Sequence, residues 1–205
     1  MKKIILLLLV VSSCSRVTEP GWKMVWSDEF NYTGLPDTTK WVNEVGFIRN
    51  RELQYYTERR IENSVVAGGN LLLIGRQEEY DTARYTSASI TTDGRYSWTY
   101  GKIEGRMKLP KGKGMWPAFW MLGQNIHQVG WPRCGEIDIM EHINEEDILY
   151  GNLHWHNERH VSTGNSVPCT VGEFHNYSVE WDRDSIKWLI DGNSYHSWCI
   201  TDSVN

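Results

Sequence analysis

The chain has no excess of positive charge and no long helical pattern. Its 205 residues include 21 Lys and Arg against 26 Asp and Glu, for a net charge of −5. Nucleic-acid binding needs a basic surface, so the composition argues against it. The sequence also shows no heptads, long amphipathic helical run or internal repeat, which argues against coiled coils and solenoids. This length suits a single domain with a sizeable core.

Cysteine and phenylalanine are scarce, with four of each, whereas the chain has 11 Trp and 10 Tyr. Beyond Cys14, three cysteines remain at 134, 169 and 199, and their spacing does not favour any one pair. The chain contains no Cys-x-x-Cys and no Cys/His spacing typical of a metal site, so we predict no metal centre. The aromatic bias is toward rings that carry a polar group at one end.

The N-terminus lacks an apolar run long enough for a typical membrane-spanning helix. Lys2 and Lys3 precede an apolar stretch at residues 4–11, which predicts a signal peptide over residues 1–13. The segment ends in Ser12, Ser13 and Cys14, which resembles a bacterial lipobox. We expect Cys14 to be lipidated, residues 14–21 to form a tether, and the protein to lie in the bacterial cell envelope, on the outer membrane or cell surface. The alternative is an ordinary signal peptide with an incidental cysteine.

Short alternating runs predict strands. Apolar and polar residues alternate over 103–109, 177–181 and 186–190. The last run leads into Asp191-Gly192-Asn193, a hairpin signal. Strands at roughly ten-residue intervals with such turns between them predict an all-β sandwich.

Three acids, Glu136, Asp138 and Glu141, interrupt an otherwise apolar strand-like run over residues 135–142. Side chains alternate faces along a strand, so Glu141 shares the face of the other two only if a β-bulge adds one residue near Ile139 and Met140. Neighbouring carboxylates raise one another's pKa, and a proton-bearing carboxyl beside an ionised one is the requirement of glycoside hydrolysis. The alternatives are a solvated face or a Ca²⁺ or Mg²⁺ site. The tryptophans at residues 114–122 and 130–132 favour a sugar site, because indole faces pack on pyranose rings.

These segments together resemble glycoside hydrolase family 16, in particular its bacterial laminarinase-like endo-β-1,3-glucanases, from about Trp22 to Trp198. The matching segments are residues 25–30 (VWSDEF), 50–57 (NRELQYYT), 85–88 (YTSA), 100–106 (YGKIEGR), 114–122 (GMWPAFWML), 130–132 (GWP), 135–142 (GEIDIMEH) and 150–155 (YGNLHW). The resemblance implies a jelly-roll sandwich, similar to concanavalin A, with a substrate cleft on its concave sheet. It implies retaining hydrolysis of internal β-1,3 or mixed β-1,3/1,4 bonds in a polysaccharide such as laminarin.

The resemblance also implies roles for the acids. Glu136 matches the family's nucleophile and Glu141 its acid/base, with Asp138 tuning the pair. We expect Asp138 to hydrogen-bond to Glu136 and to titrate as part of a coupled set. The bulged spacing that includes Met140 is that of the laminarinase-like form.

Five further positions are implied to bind sugar. Trp116 and Trp120 would stack on the sugar chain, and Trp131 would wall the cleaved subsite. Asn50 matches the family's sugar-binding Asn, and His154 would lie near the leaving group. Asn50 could instead be a turn residue, and Trp120 could be mainly core.

Two observations add alternatives. His154, His156 and His160 could be read as a metal set, although no supporting acid pattern accompanies them. Ser89 stands where family members often carry Arg, which puts one sugar contact in doubt.

The domain expected at 22–205 lacks the last strands that the family usually has. The lacking part would include the Asp that helps to hold a structural Ca²⁺, so calcium is not expected here and no cofactor is required. We expect a monomer whose partner is a polysaccharide and whose only membrane contact is the lipid anchor. The alternatives to an active enzyme are a non-catalytic β-glucan-binding module and an inactive truncated fragment.

Overall fold

The computed structural model describes residues 21–201 and consists almost entirely of strands. The predicted signal peptide, Cys14 and nearly all of the tether lie outside the described residues. Within 21–201 the elements are β1 Val42–Glu44, β2 Gln54–Tyr56, β3 Ser64–Ala67, β4 Asn70–Leu73, β5 Arg76–Tyr80, β6 Ala83–Ser87, β7 Ser89–Thr91, β8 Gly101–Lys108, β9 Ala118–Leu122, α1 Ile126–Val129, β10 Glu136–His142, β11 Ile148–Asn157, β12 Arg159–Pro168, β13 Phe174–Trp181, β14 Ser185–Ile190 and β15 Asn193–Cys199.

Two four-stranded antiparallel sheets form the body of the molecule. The first, which we call the site sheet, has the order β12-β11-β10-β9, and the second, the back sheet, has the order β15-β14-β13-β8. Smaller sheets join β2-β6-β5, β1-β7 and β3-β4. The alternating runs predicted as strands form β8, β13 and β14. This arrangement confirms the all-β sandwich prediction.

The hairpin between β14 and β15 lies where the turn signal predicted it. Asp191 and Gly192 adopt positive φ values of 49° and 77°, which a tight two-residue hairpin turn requires. The one-turn helix α1 was not predicted, because four residues are too few for a helical period to show. Among residues 21–201, none of the helices has the length and apolarity needed to cross a bilayer.

The core lies between the two sheets. Buried side chains of β10 and β11, such as Ile139 and Leu149, meet Tyr177, Val179 and Trp188 of β13 and β14 in one apolar cluster. Burying such side chains contributes roughly 1.5–3 kcal/mol each. The inward face of β10 is therefore held against the back sheet, and its other face is left for polar side chains.

Candidate active site

The acidic strand β10 contains the predicted bulge. Asp138 pairs with Asn152 of β11, and the next aligned pair is Glu141 with Tyr150, so β10 has one more residue than its partner in this interval. A matching shift occurs against β9, where Asp138 faces Trp120 and Met140 faces Phe119. The extra residue gives Glu141 the same face as Glu136 and Asp138. The bulge prediction at Ile139 and Met140 is confirmed.

Core packing holds this bulge in place. Ile139 and Met140 are each only 2% exposed. The indole of Trp188, on the back sheet, donates its Nε1 hydrogen to the carbonyl oxygen of Asp138 at 2.8 Å. Gly151 makes the approach possible, because a Cβ there would lie 2.6 Å from Cδ1 of Trp188. A backbone acceptor next to the bulge thus gains a partner from the other sheet, as a buried carbonyl requires.

Glu141 accepts a hydrogen bond on each carboxylate oxygen. Trp116 donates from Nε1 to Oε1 at 2.8 Å, and Asn152 donates from Nδ2 to Oε2 at 2.7 Å. Asn152 lies over Gly164 of β12, where a Cβ would be 2.1 Å from Oδ1 of Asn152. The absence of a side chain at Gly164 therefore lets the amide lie flat beside Glu141.

Glu136 has a different donor. The Nε1 hydrogen of Trp131 is directed at Oε2 of Glu136. Opposite Glu136 in the sheet is His154 of β11, whose ring is 6.1 Å from that of Trp131. Trp131 therefore contacts both Glu136 and the histidine next to it.

Asp138 is the most buried of the three acids, at 4% exposure. Its Oδ2 lies 3.2 Å from Nε2 of His154. The hydrogen bond to Glu136 that we expected is not found among the described residues; His154 is the partner instead, since it reaches Asp138 from the adjacent strand. Burial raises the pKa of Asp138 to about 7; the hydrogen bond from His154 opposes this rise, and the charges of Glu141 and Glu136 add to it.

His154 connects the acids to a further histidine. The hydrogen bond to Asp138 raises the pKa of His154, against the effect of burial. Its Nδ1 lies 3.0 Å from Nε2 of His160 on β12, and the two rings are stacked. Near neutral pH, Asp138 and His154 therefore share protons as a pair.

The predicted stacking tryptophans divide into two kinds. Trp116 and Trp131 are 51% and 50% exposed, so each presents a ring face while its N–H is bound to a carboxylate. Trp120 is partly buried, and the guanidinium of Arg49 lies 5.0 Å from its ring centre. Trp120 is aligned with Asp138 across the sheet, so it lies on the face of β9 that carries the site, and its stacking on sugar stays a prediction.

Asn50 is an exposed turn residue with φ of 55°. Its neighbour Arg49 makes the closer contacts with the cleft, packing over Trp120 and pairing with the carboxylate of Glu44. The hydroxyl of Ser89 donates to the same carboxylate. Ser89 thus helps to hold the acid that orients Arg49, a link that sequence reasoning missed.

Two depressions lie over these residues. A broad open one is lined by, among others, Asn50, Trp116, Trp120, Glu136 and His154. This depression also extends to apolar side chains between the sheets. The hydrogen bonds of the three acids therefore locate the site better than the outline of the depression does. A smaller polar depression continues over β11 and β12, lined by Tyr150, Asn152, His154 and residues 162–166. The surface beside Glu136 is therefore open, and so is the surface over Asn152 and His154.

The described residues contain no group of three or more His, Cys, Asp or Glu side chains arranged to hold a metal ion. This finding gives no support to the histidine set at 154, 156 and 160. The expectation that no cofactor is required stays a prediction.

Asn152, Gly164 and Trp188 were also missed from the sequence. Asn152 could have been found by parity, because it is two residues from His154 on one strand and shares its face. Gly164 and Trp188 gave no sequence signal, since their roles depend on which strands pack together.

Comparisons with known proteins agree with this geometry. The family model of glycosyl hydrolases family 16 matches residues 51–203. A β-glucanase from Rhodothermus marinus is 43% identical, over 96% of this chain and 74% of its own length. A glucan endo-1,3-β-glucosidase from Cryptopygus antarcticus is 38% identical, over 86% of this chain and 69% of its own length.

The X-ray structure of the laminarinase from Rhodothermus marinus superposes with a TM-score of 0.83 at 42% identity, covering 90% of this chain and 77% of that one. The jelly-roll fold implied by the resemblance is confirmed. With its bulged acidic strand, its hydrogen-bonded carboxyls and a family match over most of its length, the chain belongs to glycosyl hydrolases family 16.

Proposed function

We propose that the protein is a retaining endo-glycosidase that hydrolyses internal β-1,3 bonds, or mixed β-1,3/1,4 bonds, of a glucan such as laminarin. The observation that carries the proposal is the bulged strand β10, which places Glu136, Asp138 and Glu141 on one face, each with its own N–H partner. Half-exposed indoles of Trp116 and Trp131 flank the acids. This combination provides two carboxyls for displacement and flat apolar surfaces for pyranose rings.

In the first step, the carboxylate of Glu136 attacks the anomeric carbon while Glu141 gives its proton to the leaving glycosidic oxygen. The C–O bond breaks and a glycosyl ester forms on Glu136. In the second step, Glu141 takes a proton from water, whose oxygen displaces the ester and restores the free carboxylate. The indole N–H of Trp131 aims the nucleophile by binding one of its oxygens.

Asn152 can keep a hydrogen bond to Glu141 in both protonation states of this acid. Its amide donates Nδ2–H to the carboxylate in the present geometry. When Glu141 carries its proton, rotation of the amide presents Oδ1 as an acceptor for the same contact. A side-chain amide therefore suits this position better than a group that can only donate.

The Asp138–His154 pair adjusts the charge beside the two glutamates. Because the pKa of Asp138 is raised to about 7, this acid can carry a proton in mildly acidic solution and lose it above neutrality. A negative charge on Asp138 favours the protonated form of its neighbours. Where Asp138 is ionised, its charge therefore favours retention of the proton by Glu141.

The substrate class rests on the relatives and on the open surface. Relatives named glucan endo-1,3-β-glucosidase and endo-1,3-1,4-β-glycanase support a β-glucan with 1,3 or mixed linkages. The open surface that runs from beside Glu136 to β11 and β12 supports binding of a polysaccharide along its length, hence internal cleavage. We propose that a single copy of the chain binds one glucan strand.

Product analysis tests the proposal most directly. Purified protein is incubated with laminarin, mixed-linkage β-glucan and agarose, and the fragments and the anomeric configuration of the first products are recorded by NMR. We expect oligosaccharides from laminarin that initially retain the β configuration. Initial α products, or release of single glucose units only, would contradict a retaining endo mechanism.

A binding assay separates an enzyme from a glucan-binding module. Glu141→Gln removes the acid but leaves an amide that Trp116 can still contact. We expect hydrolysis to fall by orders of magnitude while retardation in laminarin gels stays near that of the unaltered protein. Equal loss of both would show that Glu141 has only a structural role.

We also propose that Cys14 anchors the protein to the bacterial cell envelope, on the outer membrane or cell surface, on the basis of its lipobox-like context. Labelled fatty acid should be incorporated into the full chain and not into Cys14→Ala.

We further propose that the reaction needs no metal, since two carboxyls suffice for it. Activity should then survive dialysis against EDTA.

A further inference from the structure

His160 is an exposed residue of β12 that contacts partners of two different carboxyls. Its Nε2 lies 3.0 Å from Nδ1 of His154, whose Nε2 faces Asp138. Its ring centre lies 4.6 Å from that of Trp131, whose N–H is bound to Glu136. His160 thus contacts both His154, the partner of Asp138, and Trp131, the partner of Glu136.

An imidazole suits the contact with His154 because it can either donate or accept. While Asp138 is ionised, the nitrogen of His154 that faces it carries hydrogen in both the neutral and the charged form of the ring. Its Nδ1 is therefore an acceptor when His154 is neutral and a donor when it is charged. His160 can match either state by exchanging its own tautomer, which a lysine or a carboxylate could not do.

The surroundings of the two histidines supply the charges that decide these states. Glu136, Asp138 and Glu141 of β10 all act on His154, and His156 of β11 lies opposite His160 in the sheet. The hydrogen bond between the histidines leaves the ring of His154 oriented toward Asp138 whichever form prevails. Metal ligands commonly gain orientation from an outer hydrogen bond to the ring, and the same physics applies here.

We propose that His160 is a positioning residue for the hydrolysis proposed above, holding the ring of His154 against Asp138 and the indole of Trp131 against Glu136. The inference rests on the proposed function for its effect on turnover. The contact between the two histidines can be tested without that function.

Two variants separate the two contacts. His160→Phe keeps a ring beside Trp131 and removes the hydrogen bond to His154, so kcat on laminarin should fall about tenfold or more with KM nearly unchanged. The pH dependence of its kcat should also change shape, because His154 loses the partner of its Nδ1. His160→Gln keeps an amide that can donate or accept and removes the ring, so it should restore the pH profile while KM rises through the loosened Trp131.

The matched control is His127→Phe. His127 is a 73% exposed side chain whose hydrogen-bond partner is Asp93 rather than any of the three acids, and its replacement should leave kcat, KM and the pH profile as they are. If His160→Phe and His160→Gln both behave like this control, the proposal is overturned. It is also overturned if both lose activity equally and in proportion to a lower Tm, since His160 would then serve folding alone.

A ring-nitrogen NMR titration provides a readout that needs no activity. The full chain is labelled with ¹⁵N-histidine. In His160→Phe, the ring-nitrogen signals of His154 should report a different tautomer or a different titration midpoint for this histidine. In His127→Phe they should stay as in the unaltered protein. Unmoved His154 signals in His160→Phe would overturn the proposal even for an active enzyme. If the unaltered protein hydrolyses no β-glucan while the His154 signals move, the proposed function fails and the contact between the histidines stands.

Discussion

The two sheets of the sandwich hold their carboxylates in opposite ways. On the back sheet, Asp182 lies at the turn between β13 and β14, where the backbone N–H groups of Asp184 and Ser185 lower its pKa. On the site sheet, Asp138 lies within a strand, where burial raises its pKa. The first carboxylate stabilises the fold when ionised, and the second is costly to ionise. The comparison shows that the site sheet contains a carboxyl group whose ionisation lowers the stability of the fold, as is common at functional sites.

The same contrast applies to tryptophan. The indole of Trp188 links the sheets through a buried hydrogen bond, whereas Trp116 and Trp131 present exposed rings and give their N–H groups to carboxylates. An indole in the core therefore stabilises the bulge, and indoles at the rim aim the acids. Substitutions in each region should consequently separate activity from stability.

The largest expected effect is on activity. Glu136→Gln should reduce hydrolysis of laminarin by orders of magnitude, since an amide cannot act as the nucleophile. Its Tm at pH 8 should stay level or rise, because one of three neighbouring negative charges is removed while Trp131 still finds an oxygen to bind. Activity assays and calorimetry check both parts.

The matched change on the back sheet is Glu180→Gln, which removes a partly exposed partner of Lys187. It should leave activity unaltered and change Tm little, as exposed ion pairs contribute little. A large fall in Tm for Glu136→Gln would show that the acid serves the fold, and the comparison between the sheets would fail.

The next effect concerns the link between the sheets. Trp188→Phe should lower the free energy of unfolding by about 1–3 kcal/mol, because the buried carbonyl of Asp138 loses its donor. It should also lower kcat, since the bulge aims Glu141. Urea unfolding and kinetics measure the two effects.

Trp155→Phe is the control, because the indole N–H of Trp155 is buried without a partner among the described residues. Removing that unpaired N–H should cost less stability than removing the bound one. If both substitutions cost the same, ring volume rather than the hydrogen bond holds the bulge.

A smaller effect on activity is expected from a substitution at Gly164, which lies against Asn152. Gly164→Ala should place a Cβ against Oδ1 of Asn152 and turn its amide away from Glu141, lowering kcat about tenfold. The same Cβ would lie 2.8 Å from the backbone oxygen of Gly151, so Tm should fall as well. Gly75→Ala is the control, since a Cβ there meets no atom within 4 Å. Unchanged kcat in Gly164→Ala would mean that Asn152 is not needed in its present position.

The smallest effect is a dependence on pH. Because the folded pKa of Asp138 is raised from 3.8 to about 7, the native state binds more protons than the unfolded state between these values, and its stability falls as pH rises through this window. His154, also raised, contributes in the same direction. Asp138→Asn should therefore gain Tm relative to the unaltered protein between pH 5 and pH 8, and the basic limb of its activity profile should move to lower pH.

Asp182→Asn provides the opposite case. The pKa of Asp182 is lower in the folded state than in the unfolded state. Its stabilising effect is therefore fully present above the unfolded-state pKa, and it is lost only as pH falls through the folded-state pKa. Its difference in Tm from the unaltered protein should thus be constant from pH 5 to pH 8. A constant difference for Asp138→Asn as well would show that Asp138 is not costly to ionise in the fold.

Local patterns in the sequence were sufficient for the strands and for the acidic face. Alternation along a strand is a property of the backbone over a few residues, so β8, β13 and β14 and the bulge in β10 could be predicted from the chain alone. The resemblance to family 16 extended this to the jelly roll and to the family's site residues. The roles given to those residues remain predictions until the variants are measured.

What the sequence by itself determined is which residues share a face: parity along β10 groups Glu136 with Asp138, and the bulge predicted at Ile139 and Met140 adds Glu141 to them. Only the tertiary structure decided what each acid contacts. His154 rather than Glu136 became the partner of Asp138, and Trp188 of the other sheet reached the bulge. The first contact depends on the register between the consecutive strands β10 and β11, and the second joins residues 50 positions apart in the chain. Both are set by how the whole core packs, for which no short stretch of sequence carries a signal.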